Sequence, residues 1–211
     1  MKRNLLHFFV FLLVVSSSAV YAKGHITVHE HGYWCGEGVA EGHRFDKKLS
    51  EALAQFFISE KAQSVVDLGC GTGEYVKVLL KHNLYSEGYD GSPDIFQISG
   101  GVAHVADLSQ PVALGREFDW VLSLEVGEHI PKRYEQTFIE NIHRHNKKGV
   151  VLSWAVKGQS GLGHCNTQNN DYIKSIFARY GYVNDIQAET ALRKQSTFSW
   201  FKNTIMVFRR V

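Results

Sequence analysis

The chain has 211 residues, of which 44% are hydrophobic and 12% aromatic, with 23 basic and 21 acidic side chains. This composition is typical of a folded globular protein, and it excludes a mainly disordered chain, a collagen and a Pro-rich stalk. The length corresponds to one domain.

The first 22 residues have the pattern of a secretory signal peptide. A short basic start precedes an apolar run over residues 5–15. Val20 and Ala22 place small residues where a signal peptidase requires them, which predicts cleavage before Lys23 and export of the mature chain. The alternative is an uncleaved anchor, but the run is too short to span about 30 Å of hydrocarbon. Without cleavage and export, the expected location is the cytoplasm.

Cleavage would leave a domain without net charge. Residues 23–211 carry 21 basic and 21 acidic side chains, because Lys2 and Arg3 are removed. A neutral domain lacks the basic surface that binds phosphate backbones, so we expect no nucleic-acid partner. We also expect no stable membrane insertion of the mature chain.

The chain has three cysteines, and this odd count leaves at least one thiol free. Exported proteins usually pair their cysteines, so a disulfide between Cys35 and Cys165 is open to test. Cys70 lies inside a glycine loop and is not expected to form a bridge.

Residues 23–43 are rich in glycine and histidine and show no sustained period, which predicts an irregular arm. The pattern then changes. Phe45, Leu49, Leu53 and Phe57 recur at helical spacing and predict an amphipathic helix at the start of a domain over residues 44–211.

Short β-branched runs then alternate with helical stretches. The predicted strands are Ser64–Leu68, Tyr85–Tyr89, Val102–Ala106, Phe118–Leu124 and Gly149–Trp154. The predicted helices are Glu74–Lys81, Pro93–Ser99, Lys132–His145 and Asn170–Tyr180. This alternation is typical of a parallel sheet covered on both faces by helices. Two strand-like segments, Val183–Ala191 and Phe198–Arg209, predict a closing antiparallel pair at the sheet edge.

A glycine-rich segment follows the first buried strand of this domain and opens the next helix. Gly69, Gly71 and Gly73 allow a tight turn and a close approach to a ligand, and the helix start offers free N–H groups. The G-x-G-x-G spacing differs from the G-x-G-x-x-G of dinucleotide sites, and the segment lacks the Lys of a P-loop. The alternative is a glycine-rich turn without a ligand.

Acidic residues occur at the ends of three predicted strands. Asp67 ends the first, Asp90 ends the second before Gly91, and Asp107 follows the third before Leu108. Asp90 suits two ribose hydroxyls, whereas Asp107 suits the amino group of an adenine that packs on Leu108. Each alone is common in turns. Together they predict a nucleoside site at the carboxyl edge of the sheet.

Across residues 44–211 the sequence resembles the class I S-adenosylmethionine-dependent methyltransferases. Their first motif is similar to residues 67–73, their ribose and adenine acids to Asp90 and Asp107, and their fourth motif to residues 118–125. The resemblance implies an α/β fold, a Rossmann-like three-layer αβα sandwich, with a seven-stranded, mostly parallel sheet whose last strand is antiparallel. It implies S-adenosylmethionine as cofactor, held by Asp67, Gly69, Cys70, Gly71, Gly73, Asp90, Gly91, Asp107, Leu108 and Glu125.

The fourth motif also bears on the methyl acceptor. Methyltransferases of exocyclic amines and amides usually carry Asn/Asp-Pro-Pro-Tyr/Phe there, whereas this chain has Ser-Leu-Glu-Val over residues 123–126. Residues 125–131 resemble the small-molecule branch, which includes enzymes of quinone biosynthesis. We therefore expect transfer to oxygen, carbon or sulfur of a small molecule or a protein side chain, rather than to an amide or nucleobase nitrogen.

His129 is the candidate catalytic base, because it lies four residues beyond Glu125 at the predicted active edge. The alternative is a histidine that bonds the backbone at a helix start. His164 and Asn166 occur in a polar glycine-rich loop over residues 158–166 and are candidates for substrate binding or for turn stabilisation.

The arm contains further candidates. Its histidines and Cys35 are metal-binding residue types, but we expect them to bind nothing, and the sequence predicts no metal site. Tyr33, Trp34 and Phe45 are expected to help cap the cleft.

Two other functions stay open. One is a non-catalytic domain that holds the cofactor, which would fit an exported protein that never meets S-adenosylmethionine. The other is a nucleotide-linked oxidoreductase, which the glycine spacing disfavours.

Overall fold

The computed structural model describes residues 24–211, and the predicted signal peptide lies outside these residues. The arm contains a small antiparallel hairpin, β1 (Thr27–Val28) and β2 (Trp34–Cys35), and a helical turn, α1 (Val39–Gly42). The other described residues of the arm lie outside helices and strands.

A seven-stranded sheet with helices on both faces follows the arm. Its strands are β3 (Ser64–Leu68), β4 (Tyr85–Asp90), β5 (Ala103–Val105), β6 (Phe118–Leu124), β7 (Asn146–Ser153), β8 (Tyr182–Asn184) and β9 (Met206–Arg210). The helices are α2 (Lys47–Ser59), α3 (Glu74–Lys81), α4 (Ile95–Ile98), α5 (Glu135–Arg144, after a 3₁₀ turn over Lys132–Tyr134), α6 (Asn170–Arg179), α7 (Ile186–Gln195) and α8 (Phe201–Thr204). Within residues 24–211, no helix combines the length and apolar character needed to cross a membrane.

The strand order is β5-β4-β3-β6-β7-β9-β8. The strands from β5 to β7 pair in parallel, whereas β9 runs antiparallel to both β7 and β8. This arrangement confirms the predicted Rossmann-like sandwich with an antiparallel last strand. The carboxyl ends of β3, β4 and β6 therefore lie side by side, at the edge where open α/β sheets bind ligands.

Alternate residues of the central strands supply two separate cores. Val66 and Val121 face α5 and α6, where Phe138 and Phe177 pack against them. Val65 and Trp120 face the opposite side and pack with the apolar residues of α2, α3 and α7. Strands buried on both faces give continuous apolar runs, which is why these segments were predictable.

The prediction of a strand over Val183–Ala191 is wrong. Strand β8 ends at Asn184, and α7 begins two residues later. The Asp185 carboxylate caps this helix by accepting a hydrogen bond from the Ala188 N–H at 2.9 Å. Leu192 then packs into the core at helical spacing. The second predicted strand is also shortened, because residues 201–204 form α8.

Asp46 links the start of α2 to the segment before α8. It is 1% exposed, and its carboxylate accepts hydrogen bonds from Leu49 N, Ser196 Oγ and Thr197 N at 3.1, 2.7 and 2.7 Å. Burial alone would raise the pKa of Asp46, but these hydrogen bonds outweigh it and hold the pKa below its ordinary value.

We expect Asp46→Ala to destabilise the protein by about 2–4 kcal/mol, because it removes the N-cap of α2 and leaves two other buried donors without an acceptor. Since the pKa is lowered in the fold, this stabilisation is present at neutral pH and is lost as the pH falls below about 4. Urea unfolding at pH 7 measures the difference. Asp94→Ala is the matched control, because Asp94 precedes α4 without capping it. Equal stability losses in the two variants would contradict this role of Asp46.

Candidate functional site

A cavity of about 970 Å³ opens at the carboxyl edge of the sheet. The arm, the glycine loop after β3 and the loop over residues 158–164 complete its walls. The predicted site residues that line it are Asp67, Gly69, Cys70, Gly71, Asp90, Gly91, Asp107, Leu108, Glu125, His129 and His164. Gly73 and Asn166 do not line this cavity.

The glycine loop needs residues without a Cβ atom. Gly69 has φ of +85°, and a Cβ there would lie 2.3 Å from the Val126 side chain. Gly71 has φ of +50°, and a Cβ there would lie 2.3 Å from the His43 ring. A larger residue would therefore strain the turn and clash with Val126 or His43. Gly73 is the N-cap residue of α3 and adopts the left-handed conformation.

Asp90 fixes this loop from the end of the neighbouring strand. One carboxylate oxygen accepts a hydrogen bond from Gly71 N at 3.0 Å, and the other accepts from Ser92 N at 3.0 Å. Each oxygen keeps a second lone pair, so the group can also accept from two hydroxyls of a ligand.

Asp67 is 2% exposed and lies at the end of β3. Burial, and then the nearby Asp90 carboxylate, raise the pKa of Asp67 to about 8. Without a bound ligand, the carboxyl group is therefore mostly protonated at neutral pH. A ligand with a positive charge would favour the ionised form.

We expect the raised pKa of Asp67 to lower the stability of the ligand-free protein as the pH rises. The folded pKa of about 8 exceeds the ordinary value of 3.8, so stability is lost between these two pH values. The loss reaches about 6 kcal/mol at most, at about 1.4 kcal/mol per pKa unit. Asp67→Asn removes this titration, so its melting temperature should exceed the wild-type value by more at pH 9 than at pH 5. An equal difference at both pH values would contradict the shift.

Asp107 contacts the arm as well as its own turn. One carboxylate oxygen accepts from Ser109 N and Oγ, and the other lies 2.5 Å from His31 Nδ1. Burial alone would raise the pKa of Asp107, but the Ser109 and His31 hydrogen bonds hold it below its ordinary value. Both oxygens of the predicted adenine acid therefore already have hydrogen-bond partners, Ser109 on one and His31 on the other.

The arm covers the cavity at further points. Tyr33 lies directly against Gly91, where a Cβ would be 2.5 Å from the tyrosine side chain. Trp34 packs edge-on against His129, with ring centroids 5.5 Å apart. Together with Phe45, these aromatic residues line the cavity, as predicted for a cap. Sequence reasoning missed His31 and gave it no site role.

Glu125 follows β6 in a left-handed conformation, with φ of +55°. Its two carboxylate oxygens accept hydrogen bonds from Gln159 Nε2 at 2.8 Å and Thr204 Oγ1 at 3.2 Å. A non-glycine residue held in this conformation is typical of a functional site. Glu125 thus ties the 158–166 loop and α8 to the strand end.

Glu128 lies beside His129 and is fully buried. Burial and then Glu125 raise the pKa of the Glu128 carboxyl well above its ordinary range. Burial, followed by the neighbouring His164 and His43, lowers the pKa of His129 to about 4. The His129 ring is therefore neutral at pH 7 and offers one nitrogen lone pair. Sequence reasoning missed Glu128, although it directly precedes the predicted base.

Asn166 supports the loop rather than facing the cavity. It is 4% exposed, its amide donates to Glu135 Oε2 at 2.9 Å, and its amide oxygen accepts from Gln168 Nε2 at 2.8 Å. Its backbone oxygen accepts from Trp154 Nε1 at 2.7 Å. These contacts correspond to the turn-stabilising alternative, and the predicted substrate contact is absent from this arrangement.

Cys35, Cys70 and Cys165 are all free thiols in the structure. The disulfide between Cys35 and Cys165 left open by the sequence is therefore not formed. Burial raises the pKa of the Cys70 thiol well above its ordinary value, so this group is a poor nucleophile.

Comparison with known proteins places the chain in a family. A family model described as a methyltransferase domain matches residues 41–155, which is more than half of the chain. No curated protein sequence matches significantly.

Three similar solved structures share the fold. Magnesium protoporphyrin IX methyltransferase from Synechocystis, with bound S-adenosylhomocysteine, is 17% identical with a TM-score of 0.60, covering 77% of this chain and 82% of its own. CalS10 from Micromonospora echinaspora, an amino pentose methyltransferase, is 14% identical with a TM-score of 0.63, and the match covers 82% of this chain and 94% of CalS10. An S-adenosylmethionine-dependent methyltransferase from Clostridium acetobutylicum is 10% identical with a TM-score of 0.62, and the match covers 81% of this chain and 94% of that protein.

The residues of the cavity fit S-adenosylmethionine. Gly69 and Gly71 keep the loop free of side chains, and Asp90 has lone pairs for two ribose hydroxyls. The buried Asp67 carboxyl would gain a partner in the ammonium group of the methionyl part. The family match, the sheet topology and this fit agree, so the chain belongs to the methyltransferase domain family and is a class I S-adenosylmethionine-dependent methyltransferase.

Proposed function

We propose that this methyltransferase acts on a small molecule, with oxygen, carbon or sulfur as the methyl acceptor. The observation that carries the proposal is that one cavity contains both the cofactor residues and a second group of polar side chains, His129 and His164. A cavity of about 970 Å³ is within the size range of small-molecule sites. The Synechocystis and Micromonospora proteins are named for a porphyrin and an amino pentose, which supports this substrate class.

The bound cofactor supplies an activated methyl group on a positively charged sulfur. Transfer is an in-line displacement, so the protein must align the acceptor, exclude water and, for a hydroxyl, accept its proton. The arm residues Tyr33 and Trp34 cover the cavity and restrict water. His129 is neutral and offers a lone pair for the proton, while Gln159 and Thr204 hold the Glu125 side chain in place.

The strand-end residues argue against a nitrogen acceptor of the amide or nucleobase type. Residues 123–126 are Ser-Leu-Glu-Val, whereas methyltransferases of exocyclic amines and amides usually carry Asn/Asp-Pro-Pro-Tyr/Phe at this position. The equal numbers of acidic and basic side chains over residues 23–211 also disfavour a nucleic-acid substrate.

Transfer of labelled methyl groups tests the substrate class. The full chain is incubated with methyl-labelled S-adenosylmethionine and an extract of the cells that produce it, and the extract is then separated by size. We expect the label in the small-molecule fraction. Label in the protein fraction would indicate a side-chain acceptor, and binding of the cofactor without any transfer would indicate the non-catalytic alternative.

We further propose that the chain enters the secretory pathway and loses residues 1–22. The support is the basic start, the apolar run over residues 5–15 and the small residues Val20 and Ala22. Intact-mass measurement on protein from an expressing cell should give a chain that begins at Lys23. Recovery of the chain with Met1 in a cytosolic fraction would contradict export.

A further inference from the structure

Glu128, His129 and His164 form a compact cluster of possible metal ligands at the cavity. One ligand atom from each residue lies within 4.8 Å of the other two. Glu128 and His129 follow β6, whereas His164 belongs to the 158–166 loop. Ligand atoms of one zinc ion lie about 2.0–2.2 Å from it and hence about 3–4 Å apart. The three donors, which lie within 4.8 Å of one another, are close to this spacing.

The Glu128 carboxylate gives independent evidence for a missing partner. Its side chain is fully buried, and neither oxygen has a hydrogen-bond partner among residues 24–211. The basic group within 4.0 Å of it in this part of the chain is His164, whose Nε2 lies 4.0 Å from Oε1, beyond hydrogen-bond distance. A buried carboxyl group without a hydrogen-bond partner is rare and needs an explanation, and a bound cation would supply one by pairing with its ionised form.

His164 is already oriented as a metal ligand. Its Nδ1 lies 3.0 Å from the Gln159 carbonyl oxygen, which can only accept, so Nδ1 carries the proton and Nε2 keeps the lone pair. A hydrogen bond of this kind from the other ring nitrogen is typical of metal-binding histidines. Gly161 leaves room for this ring, because a Cβ there would lie 2.2 Å from His164 Nε2.

His129 completes the set. Its Nδ1 is buried and has no hydrogen-bond partner in the described chain, and its ring packs edge-on against His164 with centroids 4.9 Å apart. Two imidazoles and one carboxylate are the ligands of many catalytic zinc sites, which keep an open position for water or substrate. Because both histidines line the cavity, an open position here would face the methyl acceptor.

We propose that Glu128, His129 and His164 bind one divalent transition-metal ion, zinc or an ion of similar preference, whose open position takes the acceptor oxygen. Metal binding rests on the cluster alone, whereas the contact with the acceptor rests on the function proposed above. A bound ion would lower the pKa of a coordinated hydroxyl, so this hydroxyl could lose its proton to water, and His129 would serve as a ligand rather than as a base. The acceptor oxygen would then form its bond to the methyl carbon as the bond from that carbon to sulfur breaks and S-adenosylhomocysteine leaves. The sequence alone predicted no metal site.

Zinc titration of the full chain tests the site without cofactor or acceptor. The protein is freed of metal with a chelator, and zinc binding is measured by calorimetry for the wild type, His164→Ala and Glu128→Gln. We expect one zinc ion per chain and at least a 100-fold loss of affinity in both variants. His104→Ala on the exposed end of the sheet and His29→Ala in the arm are the controls and should bind as the wild type does.

Absence of stoichiometric zinc binding, or unchanged affinity in His164→Ala and Glu128→Gln, would overturn the proposal. Loss of binding in His29→Ala alone would overturn it too, because the metal would then belong to the arm. Circular dichroism checks that each variant folds, and His164→Gln replaces any alanine variant that does not. Binding of S-adenosylhomocysteine in the same preparations separates failure of the metal site from failure of the methyltransferase function.

Discussion

Replacing His129 with alanine should lower the rate constant of methyl transfer by about 10²–10⁴-fold, the usual contribution of a positioned acid–base group. The reason is that the variant removes a neutral ring nitrogen from the acceptor end of the cavity, whether this nitrogen acts on the acceptor directly or through an ion. The affinity for S-adenosylhomocysteine should stay within a few fold, because His129 is not among the predicted cofactor residues at the ends of β3, β4, β5 and β6. Steady-state kinetics and calorimetry measure the two effects separately.

A variant that keeps turnover within a few fold of the wild type would show that His129 only supports the local structure. His164→Ala distinguishes its two possible roles. A direct base at His129 would keep most of its effect in that variant, whereas a metal-activated acceptor would lose activity in both. Addition of a chelator to the wild-type enzyme should reproduce the loss only in the second case.

Asp90→Ala should weaken binding of S-adenosylhomocysteine by about 10–100-fold, which corresponds to charge-assisted hydrogen bonds worth about 1.5–3 kcal/mol. The structure adds a second reason to the loss of two ribose contacts. The same carboxylate accepts from Gly71 N and Ser92 N, so its removal also loosens the glycine loop. Calorimetric titration gives the affinity, and a circular dichroism melt reports the stability.

Asp107→Ala is the matched comparison for Asp90→Ala. Its effect on cofactor affinity should be smaller, because Asp107 offers one contact to an amino group and already bonds His31 and Ser109. An Asp107→Ala variant that loses more affinity than Asp90→Ala would reverse the assignment of the two carboxylates. Wild-type affinity in a folded Asp90→Ala protein would mean that the ligand is not a nucleoside held in this orientation.

The parallel half of the sheet was predictable because its signals are local. A strand buried on both faces is a continuous apolar run, and the glycine turn after β3 marks both the end of the strand and the start of α3. Acidic residues at strand ends are another local signal. They identified Asp67, Asp90 and Asp107 from the sequence, and the topology then places their strands side by side.

The end of the chain was harder to predict because one capping residue decides between strand and helix. The spacing of Val183 and Ile186 is not distinctive of a strand or of a helix, and Asp185, directly before Ile186, starts α7 by capping it. Strand β8 pairs with β9 over three residues only. A pattern of apolar residues alone does not contain this information.

Contacts between distant segments could not be predicted from local patterns. His31 reaches Asp107 across 76 residues, and the amide of Asn166 reaches Glu135 across 31. The first contact brings the arm into the site, and the second removes Asn166 from it. Glu128 was missed for the same reason, because its burial without a partner depends on how the 158–166 loop folds over the strand end.

Titration of the full chain with S-adenosylhomocysteine and, separately, with NAD tests whether the cavity binds the methyltransferase cofactor. We predict one molecule of S-adenosylhomocysteine per chain, reduced affinity in Asp90→Ala and no measurable binding of NAD, because the G-x-G-x-G loop does not provide a pyrophosphate site. Binding of NAD in place of S-adenosylhomocysteine, or binding of neither by the folded chain, would contradict this prediction.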